Sequence, residues 1–244
     1  MTTRDRIAAT IREMQYRTRY VVNVHPRIYM PLARHWHADM EHRFVEPDTE
    51  LVVEGFGRSG STFAIMAFEL AQQRPVKTAH HTHAAAQIVV AARMGTPTLV
   101  IIRDPMDATL AHMIRRKIPP KPALQSWIRY HRHVLPYRDR VLATPLASVS
   151  SDFGAVVRAI NDRFGTAFKE FEHSKENEAE IFRMIEAQNL QKYGKATYWV
   201  ARPTASRLEE KDARRRELED PRLARLKEQA SEIHRALLPF ESSS

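Results

Sequence analysis

In the stretch LVVEGFGRSGSTF, residues 51–63, Gly55 and Gly60 are separated by four residues and followed by Ser61-Thr62. That spacing suits a loop that cradles phosphate. Glycines let the backbone curl, successive N–H groups converge on anionic oxygens, and the helix that follows presents its N-terminus to the charge. The position where a triphosphate-binding loop keeps its lysine is Ser61, and no strand ending in aspartate supplies a metal-binding partner. Both absences disfavour a conventional ATPase or GTPase. Arg58 restores a cation earlier in the loop, where a guanidinium can fork onto a phosphate or sulfate oxygen. The competing reading is a Gly/Ser turn capped by Ser61 or Thr62, with Arg58 solvated. The loop alone does not choose between them.

Two further stretches carry chemistry. PTLVIIRDPMDATLAH, residues 97–112, is a strand pattern ending in Arg103, with Asp104 as N-cap and Pro105 at the first position of a helix. Arg103 either faces an anion or pairs with Asp104 or Asp107. VKTAHHTHAAAQ, residues 76–87, sets His80, His81 and His83 at the end of a second strand. A neutral imidazole there can accept a proton near physiological pH. The three could instead hold a metal ion, but no nearby carboxylate completes a ligand set and the chain has no cysteine, so no metal is expected.

These residues need a frame, and the pattern supplies one. LVVEGF, VKTAH, PTLVIIR and RVLATPL read as strands, each followed by a segment of helical spacing, with Gly95 and Gly165 as helix stops. Strands alternating with helices predict an α/β fold: a three-layer P-loop-like core with a central, mostly parallel sheet flanked by helices. Residues 4–20 read as an amphipathic helix with Ile7, Ile11, Met14 and Val21 on one side and arginines on the other. The proline-broken stretch after it reads as irregular, with one short helix around 32–44. The charged tract from about 202 onward, interrupted at Pro221, reads as a solvated helix laced with ion pairs.

With 244 residues the chain suits one domain better than two. The expected division is a core at about 50–168, an N-terminal helical segment 1–48 and a helical C-terminal segment 170–244. Hydrophobic residues at 43% and charged residues at 27% argue against wholesale disorder. No apolar run is long enough to span a membrane, and MTTRDRIAATIREMQ carries charges where a signal peptide needs an apolar stretch, so a cytoplasmic location is the expectation. The net charge of +9 favours anionic partners without choosing among nucleic acid, lipid headgroups and phosphorylated small molecules.

Taken together, GFGRSGSTF and LVIIRDPMD resemble the sulfotransferase family. Its members carry a 5′-phosphosulfate loop of the form P-[KR]-S-G-[ST]-[ST] and, later, a strand ending in R-[DN]-P-x-D. The resemblance runs from about Val52 to Gly165. It implies a P-loop-like core that binds 3′-phosphoadenosine 5′-phosphosulfate (PAPS) and transfers its sulfuryl group to a hydroxyl or amine of a small-molecule or glycan acceptor. By matching position, Arg58, Ser59, Gly60, Ser61 and Thr62 would hold the phosphosulfate end, and Arg103 the 3′-phosphate. The family's serine eight residues after that arginine is Ala111 here, which leaves either Thr109 in its place or no contact. The family's late basic loop lacks its arginine-lysine-glycine form, leaving Arg202, Ser206 and Arg207 as candidates. The family places a histidine after the second strand as base. His81 and His83 compete for that role, His81 first with His83 in support, while Arg58 serves the departing oxygen.

Two other classes stay open. A divergent P-loop small-molecule kinase would need magnesium and a triphosphate, against which Ser61 counts. A non-catalytic basic module would bind a nucleotide or nucleic acid through the tract 202–227. Few aromatics interleave that tract for base stacking, so no nucleic acid is expected. Acceptor contacts would come from 24–48, 113–125 and 170–205, where Ile28, Tyr29, Trp36, Trp127, Tyr198 and Trp199 either line a pocket or belong to the core.

Overall fold

Among the residues that the computed structural model describes (3–36, 43–194 and 205–238), four strands form one sheet. They are β1 (Leu51–Gly55), β2 (Thr78–His80), β3 (Thr98–Ile102) and β4 (Leu142–Pro145). Their order is β2-β1-β3-β4 and every pairing is parallel, so the sheet is wholly rather than mostly parallel. Parallel neighbours require crossovers. Helix α3 (Ser61–Ala71) joins β1 to β2, and α4 (Ala85–Met94) joins β2 to β3. From β3 the chain runs through α5 (Pro105–Arg116) and α6 (Pro120–Val134) to β4, then through α7 (Leu146–Ser151), α8 (Phe153–Phe164) and α9 (Lys175–Tyr193).

β3 shows why such strands read as unbroken apolar runs. Leu99 and Ile101 enter a core with α3, α8 and α9, whereas Val100 and Ile102 enter the opposite one with α4, α5 and α6. The helix boundaries follow local chemistry. Asp104 accepts from Met106 N and Asp107 N at 2.8 and 2.9 Å to start α5, and Asp152 accepts from Ala155 N to start α8.

The terminal segments differ from expectation. Helix α1 (Thr3–Val22) forms, but Ile7, Ile11, Met14 and Val21 are exposed, and its buried face carries Tyr16 and Tyr20. The two tyrosines fill the space against Phe56 and His112, which the smaller aliphatic face does not reach. The second helix, α2 (Pro26–Trp36), starts earlier than the spacing suggests because Pro26 suits a first helical position. The charged C-terminal tract folds into α10 (Ala205–Glu217), a 3₁₀ turn at Pro221–Leu223 and α11 (Ala224–Leu237). It is not simply solvated: Leu218, Leu223, Ala230, Ile233 and Leu237 join the core shared with α6. Trp127 is fully buried there too, which removes it from the candidate acceptor contacts.

The order β2-β1-β3-β4 reverses direction at β1, since the chain leaves β1 to one side for β2 and returns past it to β3. Between the carboxyl ends of β1 and β3 lies the crevice where open parallel sheets bind ligands. Ile233→Ala tests the buried assignment of the C-terminal tract. Urea unfolding should show a loss of about 2–4 kcal/mol, whereas a solvated position would change stability by no more than ~0.5 kcal/mol.

Candidate functional site

The loop between β1 and α3 occupies that crevice, and its carbonyls are claimed one after another by side chains. His83 Nδ1 lies 3.0 Å from Gly55 O, Ser59 Oγ donates to Phe56 O, His112 Nε2 lies 2.9 Å from Gly57 O, and Arg103 Nη1 donates to Arg58 O at 3.0 Å. A carbonyl only accepts, so both imidazoles donate here and their protonated nitrogens are thereby set. With the carbonyls turned to these donors, the N–H groups of Ser59, Gly60, Ser61 and Thr62 take no backbone partner among the described residues. Such a run of N–H groups ending at a helix N-terminus is a seat for an anion.

Two further features suit the seat. Ser61 Oγ is buried without a hydrogen-bond partner, a donor held in reserve where an anion would sit. Gly60, at φ 84°, caps α3 in the left-handed region, and a Cβ there would come within 2.5 Å of Leu146 Cδ1. Arg58 is exposed and itself left-handed at φ 71°.

Arg103 is partly buried, and burial pulls its guanidinium pKa down while Asp107 and Asp104 oppose the shift. Its hydrogen bond goes to the loop carbonyl and not to either aspartate: Asp104 caps α5, and Asp107 lies 3.8 Å from Arg215. Thr109 is fully buried on the face of α5 that also carries His112, and its hydroxyl has no partner. Arg202 lies outside the described residues, as do Tyr198 and Trp199. Of Ser206 and Arg207 only the backbone, in the first turn of α10, is described.

The histidine stretch meets the loop from the other side. His81 Nε2 is 3.0 Å from Thr62 Oγ1, and the His80 and His81 Nδ1 atoms face each other. His81 and His83 both hold left-handed backbone, at φ 62° and 50°, which residues other than glycine adopt only when their surroundings over-determine it. Glu54, the lone charge inside β1, does so. Its carboxylate accepts from Thr82 N at 2.8 Å, Thr82 Oγ1 at 2.7 Å, Gln87 Nε2 at 3.0 Å and His83 N at 3.0 Å. Full burial pushes the Glu54 pKa up to about 7 despite these donors. Lys77, by contrast, is tied to Glu46 and Asp48 at the far end of β2, away from the loop. Among the described residues no group of three or more His, Asp or Glu is placed to hold a metal ion.

Glu54 and His112, which hold the histidine stretch and the loop in place, are passed over by the motif reading. A single carboxylate inside the apolar run LVVEGF is the one signal for the first, and the three-residue spacing from Thr109 is a faint signal for the second. His112 stacks on Phe56 at 4.2 Å and takes the Tyr16 hydroxyl at Nδ1, 3.1 Å away.

No family model matches the chain, and no curated protein matches it. Among solved structures, mouse sulfotransferase SULT7A1 complexed with PAP is similar to 80% of this chain and 92% of its own, at 15% identity and a TM-score of 0.40. What the loop does has to be read from its own geometry.

Burial holds three imidazoles neutral, pushing His83 down to about 4 and His112 and His131 to about 3. The unfolded chain takes up protons below about pH 6.5 that the native chain refuses, so these residues make stability fall as pH drops through that window. Glu54, with a raised pKa, works in the opposite sense between about 4.5 and 7. His112→Gln should therefore flatten the slope of unfolding free energy from about pH 6 to about pH 4 by up to one proton, about 1.4 kcal/mol per pH unit. Urea titrations across that range check it, and an unchanged slope would rule out a neutral buried His112.

Proposed function

We propose that this chain is a PAPS-dependent sulfotransferase that transfers a sulfuryl group to a hydroxyl or amine. The observation that carries the reading is the 3.0 Å bond from Arg103 Nη1 to Arg58 O. It joins the end of β3 to the β1–α3 loop, so both cationic motifs belong to one crevice at the switch point of the sheet. One motif without the other would suit any phosphate; together they suit a donor with anionic groups at both its 5′ and 3′ positions.

The donor, when bound, supplies a sulfuryl group already activated on a phosphate leaving group. Ser59 to Thr62 would hold its 5′ end through their N–H groups and the Ser61 hydroxyl, with Arg58 adding positive charge. Arg103 would take the 3′-phosphate, with the buried Thr109 hydroxyl behind it. The loop offers neither a lysine at Ser61 nor Lys77, which is why a triphosphate is the poorer fit.

For the base, the geometry favours His83 over His81. Its Nδ1–H is spent on Gly55 O, which fixes the tautomer and leaves the Nε2 lone pair to accept a proton from an acceptor hydroxyl or amine. His81 is instead engaged through Nε2 with the Thr62 hydroxyl and would orient that side chain. The C-terminal basic tract is a weaker candidate for nucleic acid binding. Arg214 is spent on Glu217 and on the Met113 and Ile118 carbonyls, and Arg215 lies near Asp107.

Adenosine 3′,5′-bisphosphate should raise the melting temperature by several degrees more than AMP at equal concentration, as measured by differential scanning fluorimetry. Arg103→Ala should collapse that difference. Equal shifts from both nucleotides in the unmodified protein would sink the reading. A larger shift from ATP with magnesium would favour a kinase.

A further inference from the structure

Apolar side chains gather on one part of the surface. Among the described residues, six of the nine large hydrophobic side chains that stand exposed belong to α1 and α2: Ile7, Ile11, Met14 and Val21 on the first, Ile28 and Leu32 on the second. Those of α1 share one face. With Thr18 they recur at intervals of four and three residues, which draws a stripe about 21 Å long down the helix. Ile7 and Met14 are 57% and 60% exposed. The opposite face is the docked one, where Tyr16 and Tyr20 pack on Phe56 and His112. Single exposed apolar residues are ordinary, whereas a contiguous stripe marks a surface that meets something.

The same stretch concentrates positive charge. Residues 3–36 hold seven arginines against two carboxylates, Asp5 and Glu13, and so carry more than half of the chain's net charge of +9. By helical position Arg6 and Arg17 flank the stripe on one side and Arg4, Arg12 and Arg19 on the other, and all five are exposed. Glu13 pairs with Arg17 at 2.7 Å. Arginines beside an apolar stripe can lay their stems along it and lift their guanidinium groups to anionic headgroups. A second copy of the chain is a poorer occupant, since it would set arginine flanks against arginine flanks. Nucleic acid is poorer too, because it would use the arginines and leave the apolar stripe in water.

We propose that α1 is a membrane-surface anchor: the stripe of Ile7, Ile11, Met14 and Val21 lies flat in the headgroup region of an anionic bilayer, with the flanking arginines on lipid phosphates and carboxylates. Lying flat needs no spanning helix, and none of the described helices is long and apolar enough to cross a membrane. The buried face ties this anchor to the crevice. The Tyr16 hydroxyl donates to His112 Nδ1 at 3.1 Å, and His112 Nε2 holds Gly57 O at 2.9 Å. The loop would therefore stand about one helix diameter, ~10 Å, behind the lipid surface. The stripe shares no residue with the proposed donor seat, so lipid binding and nucleotide binding stand or fall separately.

The test is co-sedimentation of the full chain with vesicles of phosphatidylcholine, with and without phosphatidylserine. The protein should bind the mixed vesicles about tenfold or more tightly than the neutral ones, and raising sodium chloride from about 0.1 to about 0.5 M should release much of it. Ile7→Gln/Ile11→Gln/Met14→Gln should weaken the binding by at least about tenfold. Because these side chains are exposed, the variant's urea midpoint should match that of the unmodified protein, which shows that it is folded. No binding to the mixed vesicles, equal binding to both kinds, or binding that survives the triple substitution would overturn the proposal. So would a dimer, seen by light scattering without lipid, that the triple substitution dissolves: the stripe would then be an interface between two copies of the chain.

Discussion

Four consecutive backbone carbonyls, from Gly55 at the end of β1 to Arg58 in the loop, are each met by a side-chain donor, and the rest of the site follows from how they are satisfied. Buried carbonyls without donors are costly. Here the donors arrive from the histidine stretch before α4, from the loop itself, from α5 and from the end of β3. The loop therefore holds its shape only when those elements are in place. The approach is close enough that side chains are excluded at two points. A Cβ on Gly55 would meet Ile101 O at 2.7 Å, and one on Gly57 would meet His112 Nε2 at 2.7 Å.

The opposite wall depends on a buried carboxylate. Placing Glu54 in the sheet is unfavourable in isolation, yet removing one partner of such a cluster leaves donors that no water reaches. Its four contacts fix Thr82 and the backbone of His83, and they do so against the left-handed strain at His81 and His83. A residue in that conformation points its ring where a relaxed strand end would not, which is how His83 reaches Gly55 O and His81 reaches Thr62.

Much of the frame was legible in the sequence. The strands, the Asp104 cap and the Gly95 and Gly165 stops follow from local chemistry, because each is decided within a few residues. The loop and Arg103 were legible as motifs, and their meeting in space follows from strand order. What was hidden depended on long-range packing. Nothing local says that Tyr16 and Tyr20, rather than Ile7 and Ile11, turn inward, since both faces of α1 have helical spacing and only the partner surface decides. His112 is hidden for the same reason: its ring bonds link residues 55 and 96 positions away. Glu54 looked like a charge out of place because its donors come from the stretch after β2.

The C-terminal tract shows how a surface reading can miss a structural role. Helix α5 is capped by Lys117, whose left-handed φ of 51° turns the chain so that its own N–H and that of Ile118 return to Met113 O. Arg214 braces this turn, donating to Met113 O at 3.2 Å and to Ile118 O, just past the helix, at 2.9 Å, while Glu217 at 2.6 Å holds the guanidinium in place. A cation at a helix C-terminus also interacts favourably with the helix dipole. The same helix carries His112 and starts next to Arg103, so its position sets the spacing between the loop carbonyls and the proposed 3′-phosphate contact. Residues more than ninety positions away thus steady the helix that closes the crevice, without any of their side chains having to enter it.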